Sequence, residues 1–172
     1  MKPFHILSIA ALAAVSLTVA VRAGGDKVAF PSDYAKGVLY TAVDNPNTKQ
    51  YRELYAPKAA LDAVKAGQPI PSGTVLTMVN YKAKLGADGT PEKDANSRFI
   101  REDLAGYVVM EKRTGWGTEY PDDVRNGEWE YQAFKADKTV NDKANLKGCF
   151  TCHKPLDKQD FVFSFDKMKT AK

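Results

Sequence analysis

Thr74-Val75-Leu76-Thr77-Met78-Val79-Asn80-Tyr81-Lys82 is the stretch on which the fold turns. It is rich in β-branched and aromatic residues and free of Gly and Pro, so it predicts a strand. Side chains alternate along a strand, which puts Leu76, Met78, Asn80 and Lys82 on one face and Val75, Thr77, Val79 and Tyr81 on the other. Upstream, Val38 to Val43 and Gln50 to Tyr55 read as two strands joined by the turn Asp44-Asn45-Pro46-Asn47. Downstream, Ala105 to Arg113, Trp129 to Lys135 and a short Phe161 to Phe165 read the same way. Helical signals are fewer. Pro31-Ser32-Asp33-Tyr34 opens a short turn with Ser32 as cap, ending near Gly37. Pro57 to Ala66 is bracketed by Pro57 at its start and Gly67 as its stop. Tyr120-Pro121-Asp122-Asp123 starts a helical turn, and Asn141 to His153 reads as a helix. The polar, Gly/Asp/Asn-rich Lys84 to Ser97 reads as a long exposed loop. Strands outnumber helices, and their order predicts an α+β fold: a mainly antiparallel β-sheet with flanking helices.

The predicted last helix delivers Cys149-Phe150-Thr151-Cys152-His153. This is C-x-x-C-H, the pattern that carries a covalent c-type haem: two thiols at fixed spacing for the porphyrin vinyl groups, and an adjacent imidazole for the iron. Other readings of the same residues fit less well. A disulfide between Cys149 and Cys152 would close a tiny, strained loop. A thioredoxin-type site needs a strand–helix context, whereas Asn145-Leu146-Lys147-Gly148 precedes these thiols. Zinc needs four ligands, and only three candidates are at hand. The cofactor expected is one covalent haem c per chain, with Cys149 and Cys152 as its attachment points and His153 as the proximal iron ligand.

The N-terminus points the same way. Lys2 precedes an apolar run from Ile6 to Val21, and Val21-Arg22-Ala23 fits a small-x-small cleavage pattern. Residues 1–23 read as a signal peptide and 24–172 as one haem domain; cleavage after Ala20 is the alternative. As an uncleaved anchor the run falls short of the roughly 20 apolar residues that a span prefers. Haem is attached to C-x-x-C-H outside the bacterial cytoplasm, so leader and motif predict one address, the periplasm. Removing the leader takes His5 with it and leaves His153 as the single histidine. Bis-histidine ligation within one chain is thereby excluded. The sixth iron position falls to Met78, Met110 or Met168, an amine, water, or nothing. The formal charge of +4 drops to about +2 with Lys2 and Arg22 gone. Nothing in that balance suggests nucleic acid, and no second apolar run suggests a membrane span.

Several blocks then carry a family resemblance. They are Phe30-Pro31-Ser32-Asp33-Tyr34, Gly73-Thr74-Val75, Val109-Met110-Glu111-Lys112-Arg113 with Gly115-Trp116-Gly117, and Arg125-Asn126-Gly127-Glu128-Trp129-Glu130-Tyr131. Cys149–His153-Lys154-Pro155 and Asp160-Phe161-Val162-Phe163 close the series. In this order, with C-x-x-C-H near the C-terminal end, the chain resembles the cytochrome P460 / cytochrome c′-beta family. The resemblance implies a periplasmic homodimer with one c-type haem per subunit, His153 proximal, and a distal side open or easily opened. It also implies one of two activities. The P460 branch cross-links a lysine to the haem edge and oxidises hydroxylamine, which would make the chain an oxidoreductase. The c′-beta branch lacks the cross-link and binds gases, nitric oxide above all. The cross-linking lysine of the first branch lies five residues after the strand-opening glycine, and here that position is Met78. The nearest lysine, Lys82, shares its face but lies about 13 Å further along. Met78 is therefore the distal-side candidate and Lys82 the cross-link candidate. A methionine-ligated electron carrier is the third reading.

Further candidates are less specific. Phe161, Phe163 and Phe165 would share a strand face and could wall the haem or simply face a core, as could Phe30 and Tyr81. Arg52, Arg113 and Arg125 could grip haem propionates or sit on the surface. Lys143, Lys147, Lys154 and Lys158 surround the motif, where they could steer an acidic redox partner protein or form an ordinary solvated surface. Glu111 lies mid-strand, where it could be buried, but its neighbours Lys112 and Arg113 suggest a salt-bridged surface.

Overall fold

The computed structural model describes residues 27–172; the leader predicted over residues 1–23 lies outside them. Five strands form one sheet in the order of the sequence: β1 (Val38–Asn45), β2 (Gln50–Ala56), β3 (Val75–Ala83), β4 (Arg101–Lys112) and β5 (Trp129–Phe134). Every neighbouring pair is antiparallel, so the sheet is a plain meander. Short connections suffice for such pairs, as at Pro46–Lys49 between β1 and β2. β4 is longer than its apolar pattern indicates, because Arg101–Leu104 pair with the end of β3 despite their charge. Register slips between Asn80 and Ala83 accommodate this. Gly106 lies beside the first slip at φ 145°, where an added Cβ would stand 2.6 Å from the Phe134 carbonyl oxygen.

Helix α1 (Lys58–Lys65) follows Pro57 and ends before Gly67, as the brackets predict. It buries Ala60, Leu61 and Val64 against the core, and Lys58 and Asp62 pair on its outer face at 2.6 Å. The turn before β1 is a 3-10 turn over Tyr34–Lys36; its cap is Asp33 rather than Ser32, with no side-chain capping bond. The loop predicted over Lys84–Ser97 is stitched by bridges at Leu85–Pro91 and Lys93–Phe99. Among the described residues no helix is long and apolar enough to cross a membrane.

Two predictions for the last third of the chain are corrected. Helix α2 spans Leu146–His153, not Asn141–His153. Asn145 caps it, its side-chain oxygen accepting from Gly148 N at 3.0 Å. The segment Phe161–Phe165 is not a strand. Asp160 and Phe161 both take left-handed φ (49° and 59°), Phe163 lies in a turn, and Phe165 opens helix α3 (Phe165–Thr170). The alternating phenylalanines thus share no strand face.

The sheet separates two apolar clusters. On one side Leu76, Met110, Trp129 and Tyr131 meet α1, Phe150 of α2, and Met168 of α3. On the other, Val79, Tyr107, Val109 and Phe134 are closed over by Val28, Phe30 and Tyr34.

Candidate functional site

Helix α2 places both thiols, and its last residue is the single histidine among the described residues. Phe150 anchors the helix: it is 1 % exposed, and its ring lies edge-on to Tyr120 (5.1 Å) and Tyr131 (4.8 Å). Asn126, fully buried, donates from Nδ2 to both the Phe150 carbonyl and the Tyr131 hydroxyl, each at 3.0 Å. Lys154 ties the end of α2 to the preceding loop through the carbonyls of Asp122 and, at 2.7 Å, Arg125. With Phe150 turned inward, Cys149 is half-buried and Cys152 exposed, and both thiols are free. Burial pushes the Cys149 thiol above its ordinary pKa.

His153 is half-buried, with its ring 5.0 Å from Tyr131 and 4.9 Å from Phe163. Its Nδ1 lies 2.6 Å from the Phe161 carbonyl oxygen. A carbonyl only accepts, so Nδ1 carries the proton and Nε2 keeps its lone pair. Burial holds the imidazole pKa below its usual value, against the opposing pull of that carbonyl. The neutral ring with a free Nε2 is the form that binds a metal.

The sheet face beneath α2 is graded along the strands. Lys112 and Trp129 are register partners at one end, followed by Leu76, Met110 and Tyr131 under the helices. The next row is Leu54–Met78–Val108, paired side by side and all half-buried. Beyond it stand Arg52 and Asn80. Helix cover therefore stops at the row next to His153 and leaves an apolar strip with Met78 at its centre. Phe163, 62 % exposed, stands on the same histidine. Two free thiols, an imidazole with an open Nε2 and an adjoining apolar strip form a donor set that fits a thioether-linked haem.

The structure sorts the remaining candidates. Lys82 is exposed at the far end of β3, its ammonium 3.6 Å from Asp103. Met110 and Met168 are buried in the helix-side core. Phe30 and Tyr81 belong to the opposite face. Glu111 is buried and pairs with Arg113 Nε at 2.5 Å. Arg125 Nε bonds the Gly127 carbonyl. Arg52 bonds the side-chain oxygens of Gln50 and Thr48, and burial lowers its pKa from the usual arginine value. Lys143, Lys147 and Lys158 are exposed, whereas Lys154 is held by its two carbonyls. The sequence pattern gave no role to the Phe161 carbonyl, a main-chain atom, nor to Asn126 and Tyr131, which stood there only within a block that carries the family resemblance.

A family model, Cytochrome P460, matches residues 31–164. The match takes in the whole sheet, α2 and the Phe161 turn. No curated protein matches the chain.

Proposed function

The chain belongs to the cytochrome P460 family, and from that premise we propose that it is an exported c-type cytochrome that captures nitric oxide. Family membership makes it a haem cytochrome. The finer reading is that Cys149 and Cys152 hold one haem through thioether bonds and that His153 holds its iron through Nε2. Bound there, the haem supplies an iron whose remaining position takes a small neutral ligand.

One observation carries the choice of ligand. The strip Leu54–Met78–Val108, continued by Ala133, is built from side chains that neither ionise nor donate hydrogen bonds. Such a surface excludes water and suits a neutral diatomic gas. Oxidation of hydroxylamine releases protons and calls for a base within hydrogen-bond reach. The strip offers none, and Lys82 is exposed beside Asp103. At the strip's end, the half-buried Arg52 suits a haem propionate. Exposed Lys143, Lys147 and Lys158 suit an acidic redox partner protein. Export to the periplasm by the leader over residues 1–23 and a homodimeric state belong to the same proposal.

The test uses protein co-expressed with a cytochrome c maturation system. A high-spin ferric spectrum, a ferrous nitrosyl formed stoichiometrically and no turnover of hydroxylamine support the proposal. A lysine-containing peptide attached to haem alongside the Cys149–Cys152 peptide, together with hydroxylamine oxidation, overturns it in favour of the enzyme. A low-spin iron with a methionine charge-transfer band overturns it in favour of an electron carrier ligated by Met78. Protein without thioether-linked haem removes the cofactor assignment itself.

A further inference from the structure

We propose that Asp160 is a positioning residue for the iron ligand: with Lys112 and Trp129 it fixes the main-chain turn whose Phe161 carbonyl accepts the Nδ1 proton of His153. The inference deepens the haem reading above and rests on it. A hydrogen bond donated by one imidazole N–H raises the basicity of the other nitrogen, and groups that orient a ligand in this way tune the metal it binds. Here the acceptor is a main-chain oxygen, so no side-chain substitution can delete it. Its direction depends on the backbone angles at Asp160 and Phe161.

Those angles are not ones the residues adopt unaided. Both φ values lie in the left-handed region (49° and 59°), which a Cβ disfavours. Two in succession persist only where the surroundings hold them. Asp160 supplies that hold by using both carboxylate oxygens. Oδ2 accepts from Lys112 Nζ at 2.7 Å and Oδ1 from Trp129 Nε1 at 3.1 Å. The two donors are register partners on β4 and β5, so the sheet itself presents them side by side. The Lys112 side chain is only 12 % exposed, which limits screening of the ion pair. The rest of the turn is held from within: Phe161 N donates to the Leu156 carbonyl at 2.8 Å, and Val162 N to the Gln159 carbonyl at 3.0 Å. Gly127 completes the fit, since an added Cβ there would stand 3.0 Å from Cε2 of Phe161. The clamp lies two rows from the Met78 strip, with Leu76, Met110 and Tyr131 between them. Its effect would therefore reach the iron through His153 and not through the distal side.

The experiment compares wild-type holoprotein with Asp160→Asn, Lys112→Met and Lys112→Arg. Asp160→Asn keeps an acceptor for Trp129 and suits left-handed φ, while removing the charge that Lys112 grips. The readouts are the iron–histidine stretching band of the ferrous protein, the midpoint potential, covalent haem content and stability to denaturant. Asp160→Asn and Lys112→Met are expected to keep full covalent haem, to move the stretching band to lower frequency and to raise the potential. Lys112→Arg is expected to restore both towards wild type. Val109→Ala, on the far face of the sheet, serves as the control that lowers stability without moving the band. If Asp160→Asn does not fold, Lys112→Met decides. An unchanged band and potential in haem-bearing variants sinks this inference alone; a wild-type protein without thioether-linked haem sinks it together with the preceding reading.

Discussion

The two faces of the sheet are covered differently, though each keeps half-buried side chains, Tyr55, Val75 and Tyr81 on one and Leu54, Met78 and Val108 on the other. On the Val79–Tyr107–Val109–Phe134 face the chain covers itself: Phe30 lies edge-on to Tyr107 (4.9 Å) and Phe134 (5.3 Å), and Tyr34 edge-on to Tyr55 (5.2 Å). On the α2 face the cover is partial, ending at the row beside His153 and leaving Leu54, Met78 and Val108 half-buried. Residue types differ little between the two faces, so hydrophobicity alone does not mark the functional one. What marks it is unfinished packing next to groups that can make bonds.

Substitutions can break that contrast, and the largest expected effect is on the α2 face. Replacing Cys149 and Cys152 together by serine is expected to abolish covalent haem, read as loss of the haemochrome spectrum from denatured protein. Phe134→Ala, on the self-covered face, should cost about 3–5 kcal/mol of unfolding free energy while leaving the visible spectrum of the surviving holoprotein unchanged. A large spectral change would mean that the two faces are not independent. Asn126→Ala removes one donor each from the Tyr131 hydroxyl and from the Phe150 carbonyl, which keeps its bond from Lys154 N, at a cost of about 1–3 kcal/mol in denaturant titrations.

Alkaline pH probes the phenols of both faces, since burial raises Tyr34, Tyr55 and Tyr81 on one as it does Tyr40 and Tyr131 on the other. Burial pushes the Tyr40 phenol up from the ordinary tyrosine value to about 12, and raises Tyr131 as well. A phenol whose folded pKa lies above its unfolded value contributes stability that is complete below the unfolded pKa and is lost as pH rises towards the folded one. Stability should therefore hold up to about pH 10 and then fall by about 1.4 kcal/mol per pH unit for each of these two phenols. Denaturant midpoints on either side of that pH check it. The smallest expected effect on stability is that of Phe163→Ala. At 62 % exposed it should change unfolding by under about 1 kcal/mol, yet shift the haem spectrum because its ring stands on His153.

The meander was legible because its signals are local. Alternation from Thr74 to Lys82, the Asn45-Pro46 turn and the Pro57/Gly67 brackets each act within a few residues. The faces assigned to β3 also hold, with Leu76 in one cluster and Val79 in the other. The end of the helix that carries Cys149, Cys152 and His153 was legible as well, since it closes at His153 as expected. What failed was the Phe161–Phe165 strand. Its alternation imitates a strand, but local pattern cannot report that Lys112 and Trp129 hold Asp160 in a reversed turn. The same separation hid the partner of His153 Nδ1, a main-chain oxygen that no residue type announces. Glu111 was half legible: it is salt-bridged as its neighbours suggest, yet buried.

The order of strands has a last consequence, for the timing of assembly. A meander joins each strand to the one made just before it, and proteins commonly fold from the N-terminal side as they emerge. A nascent chain threaded out in that direction can zip up its entire platform while Leu146–His153 is still to come. The haem proposed above would then be joined, through Cys149 and Cys152, to a segment that is added after the strand order is already set.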